Sequence, residues 1–369
     1  MKVLCERESL REALSIATSV IPSKSPRPAV ENVCLVATDD ALELVGTDLD
    51  VAVRYRLEDV KVEEPGTTLV PARVTADFVR DLTGETVSLQ TRGDVFLIES
   101  GTDHCELGTS DPDEYPVVAR FAAEGTVGIQ GRNFARLVSR TSFAAAREQG
   151  RYAMHGILTR LSDDALEMVA TDGRRLAVTS CPLEGEGARS GAKTTAIVSA
   201  KGIQVFCRVI SDPLEQVKIH FGENQFGLRT AKAEVFARLI DGDFPNYAAA
   251  VPASCTNVVE ANTQLLHQKL RLVANVTSHD TRAVRLSIDK GSLTIFGRSA
   301  VTGEATTRMD VDFRGTPGEI SFNPDYLIEG LKNCEGETVR LEFNERTSPG
   351  KFTLGENYVY VVMPITIDT

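Results

Sequence analysis

No two of the seven cysteines, Cys5, Cys34, Cys105, Cys181, Cys207, Cys255 and Cys334, form a C-x-x-C pair. Their odd number and scattered spacing exclude a zinc framework and a disulfide scaffold, leaving them to be read as buried small hydrophobes. The histidines His104, His155, His220, His267 and His279 show no ligand spacing either, so neither a metal nor a cofactor is expected. No apolar run approaches bilayer-spanning length. The opening MKVLCERESLREAL turns charged after four residues, too soon for the apolar core of a secretion signal, and a cytoplasmic protein is expected.

Catalytic patterns are also missing. The glycine-rich run GEGARSGAKTT (185 to 195) lacks the Gly-Lys pair of a phosphate loop because Ala192 interrupts it, and Glu184 and Glu186 would repel phosphate. Ser190 and Lys193 fit a serine acyl-enzyme motif by letter count alone, in a loop without the rigid surroundings such chemistry needs. The pairs Asp39-Asp40 and Asp163-Asp164 are adjacent turn residues whose side chains diverge. They read as hairpin punctuation, and no enzymatic activity is expected.

What is present is repetition. The stretch ALELVGTDLDVAV from Ala41 returns as ALEMVATDGRRLAV from Ala165 and, more loosely, as SLTIFGRSAVTGEA from Ser292. A second pattern, VPARVTADFVRDL, VSAKGIQVFCRVI and FNPDYLIEGLKNC, recurs with the same period of about 125 residues, so the 369-residue chain divides into three copies of one unit. Boundaries are expected at 1–122, 123–249 and 250–369. Each copy opens with an amphipathic helix (6 to 20, 131 to 147, 262 to 277), passes through hairpins broken by polar turns, and continues to a second helix (72 to 83, 200 to 211, 323 to 334) and closing strands. This predicts an α+β fold in which two helices per copy pack on antiparallel sheets.

The formal net charge of −12 argues against nucleic acid. Its distribution argues for it. Acids gather in turns, whereas Arg132, Arg136, Arg140 and Arg147 would share one helical face, as would Arg7 with Arg11, Arg73 with Arg80 and Lys201 with Arg208. Helical basic stripes suit a polyanion bound through phosphates, without regard to sequence. Three domains of this size in a closed ring would leave a hole only about 5 Å wide, whereas six would leave about 35 Å, enough for a hydrated duplex. Two chains joined head to tail would supply six.

At this point the sequence resembles the bacterial DNA polymerase III beta subunit family, the sliding clamps. The likeness spans the whole chain and is carried by VGTDLDVAV (45 to 53), EPGTTLVPAR (64 to 73), VATDGRRLAV (169 to 178), DGDFPNY (241 to 247) and YVYVVMPITI (358 to 367). The resemblance implies a non-enzymatic processivity factor. It would be a homodimeric ring around double-stranded DNA, opened by a clamp loader, that tethers the catalytic subunit of the replicative polymerase and repair polymerases. A monomeric peptide-binding scaffold is the alternative. DNA contacts implied or suggested are Lys24, Arg27, Arg73, Arg80, Gln149, Arg151, Tyr152 and Lys201. A cleft for partner peptides is implied at Met154, Thr171, Gly173, Arg174, Arg175, Leu176, Pro245, Ala250, Val251, Val361, Met363 and Pro364. Cys105 and Leu107 would meet Asn275 and Val276 of a second copy. The chain has Ala153 where the family often has a second tyrosine, and Thr366 and Ile367 where it usually ends in an arginine and an apolar residue.

Overall fold

A computed structural model describes the chain except for residues 122–124, 149–152, 163–164, 184–194, 278–281 and 367–369. By contact density it divides into two units, Met1–Phe134 with Glu184–Leu239, and Ala135–Leu183 with Ile240–Thr369. The middle sequence repeat contributes to both.

The six repeat helices form where expected: α1 (Arg7–Thr18), α2 (Ala72–Asp81), α3 (Gly131–Thr141), α4 (Ala200–Arg208), α5 (Thr263–Ala274) and α6 (Pro324–Lys332). Three begin at a side chain that accepts a hydrogen bond from an otherwise unpaired backbone N–H: Ser199 from Gly202, Asn262 from Leu265 and Asn323 from Asp325. The expected extension of α3 to residue 147 is not found. Thr141 turns its hydroxyl back onto the Leu137 carbonyl (2.8 Å), and a short 3-10 turn, Ser142–Ala144, takes over.

In the first unit one sheet runs Val60–Glu64, Lys2–Glu6, Thr86–Arg92, Val95–Ser100, Asp103–Gly108. A second runs Thr126–Gln130, Gln216–Phe221, Gln225–Arg229, Ala233–Arg238, Val51–Leu57, Leu42–Thr47, Asn32–Ala37, Gly66–Pro71. The pairings are antiparallel, and that of Val51–Leu57 with Ala233–Arg238 hydrogen-bonds the first sequence repeat to the second. Its Asp39-Asp40 turn closes the hairpin predicted there, with Ala37 opposite Leu42.

The second unit repeats the plan. Gly156–Leu161, Ala165–Thr171 and Arg175–Pro182 continue through Tyr358–Val362, Gly350–Thr353, Thr338–Phe343, Asn257–Asn262 and Asp312–Arg314, beside a four-stranded sheet of Gly303–Asp310, Ser292–Ser299, Val284–Asp289 and Gly318–Phe322. Arg175–Pro182 pairs with Tyr358–Val362 as Val51–Leu57 pairs with Ala233–Arg238.

In the first unit α1 packs with α2 against the sheets, and in the second α5 packs with α6, with large side chains buried in each unit. Tyr55, Phe96, Phe206 and Phe226 are enclosed in the first unit, and Phe322, Tyr358 and Tyr360 in the second. A recurrent small residue sets how closely helix and sheet approach. A Cβ at Gly46 would lie 2.4 Å from the Ala17 carbonyl oxygen of α1, and one at Gly297 would lie 2.6 Å from Val273 of α5. Ala170 fills the corresponding place in the middle repeat and is fully buried. The cysteines are all free, and only Cys5, Cys34 and Cys181 are fully buried. Cys105, Cys207, Cys255 and Cys334 are partly accessible, which corrects the uniform reading from spacing alone.

Candidate functional site

The predicted peptide cleft is built around the turn between Ala165–Thr171 and Arg175–Pro182. The Thr171 hydroxyl donates to the Arg175 carbonyl (2.6 Å) and accepts from the Gly173 N–H (3.1 Å), while the Asp172 carboxylate accepts from the N–H groups of Arg174 (2.9 Å) and Arg175 (3.0 Å). Gly173 adopts φ +84°, a conformation that costs a residue with a side chain about 1–2 kcal/mol. The turn is therefore held rigidly from within.

Arg175 anchors it from below. The side chain is only 7% exposed and donates to Asp172 (3.0 Å), to the Phe143 carbonyl (2.6 Å) and to Glu329, with its guanidinium over the Tyr326 ring at 4.5 Å. Burial alone would lower its pKa, but the Glu329 bond, with Tyr360 and Asp172, pushes it above the ordinary arginine value. Arg175 thus locks the turn, and the neighbouring exposed Arg174 is left at the surface.

The remaining predicted cleft residues converge on this turn. Leu176 lies opposite Val361, and the Met363 N–H donates to the Arg174 carbonyl (2.8 Å). Tyr247 donates to Glu167 (2.7 Å), which draws the segment carrying Pro245, Ala250 and Val251 against the same hairpin, and the Ala153 N–H donates to Asp243 (3.2 Å) beside Met154. Not all of the twelve are surface groups. Thr171, Arg175, Leu176 and Val361 are buried, whereas Gly173, Arg174, Ala250 and Met363 are exposed and Met154, Pro245, Val251 and Pro364 half-buried. Met363, 42% exposed, is the large apolar side chain most available to a ligand there. Against the Arg175 lock lies a cavity of about 350 Å³ lined by Arg147, Tyr326, Ile328 and Glu329 among others. Tyr326 and Glu329 were not legible as site residues, because they lie on α6, far along the chain.

The basic candidates fare unequally. Lys24, Arg27, Arg73, Arg80 and Lys201 are exposed. Arg80 is committed to Asp77 (2.6 Å) and Asp81 (3.0 Å), Arg27 to the Glu114 carbonyl (2.8 Å) and Lys201 to Asp48. Lys24 and Arg73 have no acid within 4.0 Å among the described residues, so their charge is unspent. Gln149, Arg151 and Tyr152 lie outside the described residues. The four-arginine stripe expected on α3 is not formed. Arg140 is 3% exposed, bound to Glu335 (2.8 Å) and set over the Tyr358 ring, and Arg147 lies beyond the helix end. Arg136 turns toward Cys181 and Glu335, which leaves Arg132 as the outward member.

Cys105 and Leu107 lie on Asp103–Gly108, the outermost strand of its sheet, and both are half-buried. Asn275 caps the C-terminal end of α5, and the Val276 carbonyl accepts from Thr302 (2.8 Å), just before the outermost strand Gly303–Asp310. Leu272 and Val301, exposed and apolar, stand near this second edge in the chain. Among the described residues no group of three or more His, Cys, Asp and Glu could hold a metal ion.

Comparison with known proteins places this arrangement. Models of the DNA polymerase III beta subunit match three consecutive stretches, the N-terminal domain over residues 1–119, the central domain over 128–246 and the C-terminal domain over 248–366. The chain belongs to the DNA polymerase III beta subunit family. The beta sliding clamps of Pseudomonas putida and Salmonella typhimurium are each 30% identical to it, over 372 and 370 residues, with all of both chains covered. A crystal structure of the beta subunit from Pseudomonas aeruginosa superposes with a TM-score of 0.93 at 28% identity, and one of that clamp bound to griselimycin with 0.94 at 28%, again over the full length of both chains. The beta subunit family is a family of DNA sliding clamps, processivity factors without enzymatic activity, and this chain functions as one.

Proposed function

We propose that two copies of this chain close head to tail around duplex DNA and hold it by enclosure, with domains at 1–122, 123–249 and 250–369. The observation that carries this reading is the match of all three beta subunit domains, in order, along a chain that repeats itself three times. Lys24 and Arg73, cationic and unpaired, supply contacts to phosphates that carry no sequence information. Arg27, Arg80, Lys201, Gln149, Arg151 and Tyr152 are secondary candidates for the same role. The strand edges at Asp103–Gly108 and Gly303–Asp310, with Cys105, Leu107, Asn275 and Val276, are the surfaces through which two copies would join. No described helix is long and apolar enough to cross a membrane, and the cytoplasm, where DNA is replicated, is the proposed location.

The cleft around Met363 takes short linear segments from the clamp loader, the replicative polymerase and repair polymerases, and we assign griselimycin to the same place. A flexible thioether at an exposed rim adapts to differing side chains, as a shared docking site requires. The deciding experiment loads the protein onto nicked circular DNA with its loader. Retention on the circle and loss on linearisation are expected, and persistence on the linear product would refute enclosure. For the cleft, Met363→Ala should weaken griselimycin binding about tenfold while leaving the dimer mass unchanged. Equal affinity would remove Met363 from the site.

A further inference from the structure

The first unit contains a turn that copies the one in the cleft. The Thr47 hydroxyl donates to the Val51 carbonyl (2.9 Å) and accepts from the Leu49 N–H (3.0 Å), and the Asp48 carboxylate accepts from Asp50 (3.0 Å) and Val51 (2.7 Å). These are the bonds that Thr171 and Asp172 make. The correspondence extends outward. Val51–Leu57 is flanked by Ala233–Arg238 as Arg175–Pro182 is by Tyr358–Val362, and Tyr115-Pro116 occupies the place in its repeat that Phe244-Pro245 occupies in the next.

A cavity of about 450 Å³ opens beside this turn, lined by Leu49, Asp50, Pro116, Val117, Phe236 and Arg238 among others. Leu49 stands where the cleft has Gly173 and takes the same backbone conformation, φ +80°, with its side chain 53% exposed. Leucine in that conformation costs about 1–2 kcal/mol, and more than half of its side chain stays in solvent. Val117, 99% exposed, adds a second apolar group to the same rim. The Arg238 N–H donates to the Asp50 carbonyl (2.7 Å), yet neither side chain has a partner of opposite charge within 4.0 Å among the described residues. The groove therefore offers two apolar contacts, one unanswered cation and one unanswered carboxylate.

From this we infer that the groove at Leu49 is a second docking site for a short extended peptide, one that places an aliphatic side chain against Leu49 and Val117 and a carboxylate on Arg238. The peptide's own N–H groups would answer Asp50. The inference rests on the cleft reading for the second repeat, from which the analogy starts. It differs in selectivity: Leu49 stands in the place of Gly173 and Arg238 in that of Met363, so this groove favours acidic aliphatic segments.

The test uses the full-length protein with labelled Leu, Val and Met methyl groups. The probe is a pooled library of acetylated, amidated hexapeptides with one fixed leucine, one fixed aspartate and mixed residues elsewhere. With griselimycin present at saturation, the library should move the Leu49, Val51 and Val117 methyl signals saturably. Leu49→Glu should raise the apparent Kd about tenfold or more, and Arg238→Gln should weaken binding of this library but not of one with asparagine in place of the aspartate. Silent groove methyls alongside a normal griselimycin response at Val361 and Met363 would overturn the second groove alone. A protein in which griselimycin leaves Val361 and Met363 unmoved would overturn the cleft reading and, with it, the analogy.

Discussion

The turns Thr47–Val51 and Thr171–Arg175 make the same backbone frame and are secured in opposite ways. In the second unit the lock is a buried arginine between two acids, Arg175 with Asp172 and Glu329. In the first, Asp48 is held by Lys201, whose side chain is more than half exposed. A Thr-Asp pair followed by a tight reversal is enough to write the frame into sequence, since every bond in it is made within five residues. The strength of the lock is set by burial instead, because the same attraction counts for far more where water is excluded. One turn is therefore structurally committed, and the other is loosely tied and carries a strained leucine.

The largest expected effect falls on the committed turn. Arg175→Ala leaves Asp172 and Glu329 facing an empty place and should cost roughly 3 kcal/mol, the lower end for a broken buried pair because Glu329 is partly solvated. Urea denaturation measures it, and a loss below about 1 kcal/mol would mean the lock is slack. The first unit keeps its own buried charge elsewhere, at Glu43, 3% exposed, between Arg54 (2.9 Å) and Arg120 (3.2 Å). Burial there pushes the carboxyl pKa up, but the hydrogen bonds and charges of Arg120 and Arg54 outweigh it and leave the value below that of a free glutamate. Its stabilisation is complete above the unfolded pKa of about 4.3 and is lost as pH falls through the folded value. Glu43→Gln should cost roughly 2 kcal/mol near neutral pH and flatten the acid limb of the stability curve, and an unchanged limb would detach Glu43 from acid unfolding.

Exchanging the third residue of the two turns sharpens the comparison further. Gly173→Ala should destabilise by about 1 kcal/mol through backbone strain alone, since a Cβ there meets no atom within 4 Å. Leu49→Gly should stabilise by about 0.5 kcal/mol, the relief of strain offset by the freer unfolded chain. Opposite signs in thermal unfolding support the strain assignment, and equal signs refute it. The smallest effect is Lys201→Ala, well under 1 kcal/mol for a solvated pair, and further reduced by salt. A loss as large as that of Arg175→Ala would erase the distinction between the two locks.

Much of this architecture is written in the sequence. The threefold period, the positions of the six helices and the Asp39-Asp40 hairpin follow from patterns confined to short windows, although α3 stops six residues before its pattern does. The arginine stripe on α3 failed for a reason no window contains. Helical spacing placed Arg140 beside Arg132 and Arg136, but its partners Glu335 and Tyr358 arrive from the far end of the chain and pull it inside. The residues of the proposed cleft are scattered along the sequence, and the burial of Thr171, Leu176 and Val361 and the contact of Tyr326 with Arg175 emerge only once the strand Tyr358–Val362 has paired with Arg175–Pro182.

By itself, then, the sequence determined the repeat, the order of its helices and strands, and the internally bonded turns, because these depend on neighbours within a few residues. The tertiary structure alone decided which charges are spent on each other and which face solvent, since that depends on what long-range pairing brings alongside. Lys24 and Arg73 present their charge to solvent, and Arg140 and Arg175 do not, because only the latter two were met by carboxylates from elsewhere in the fold.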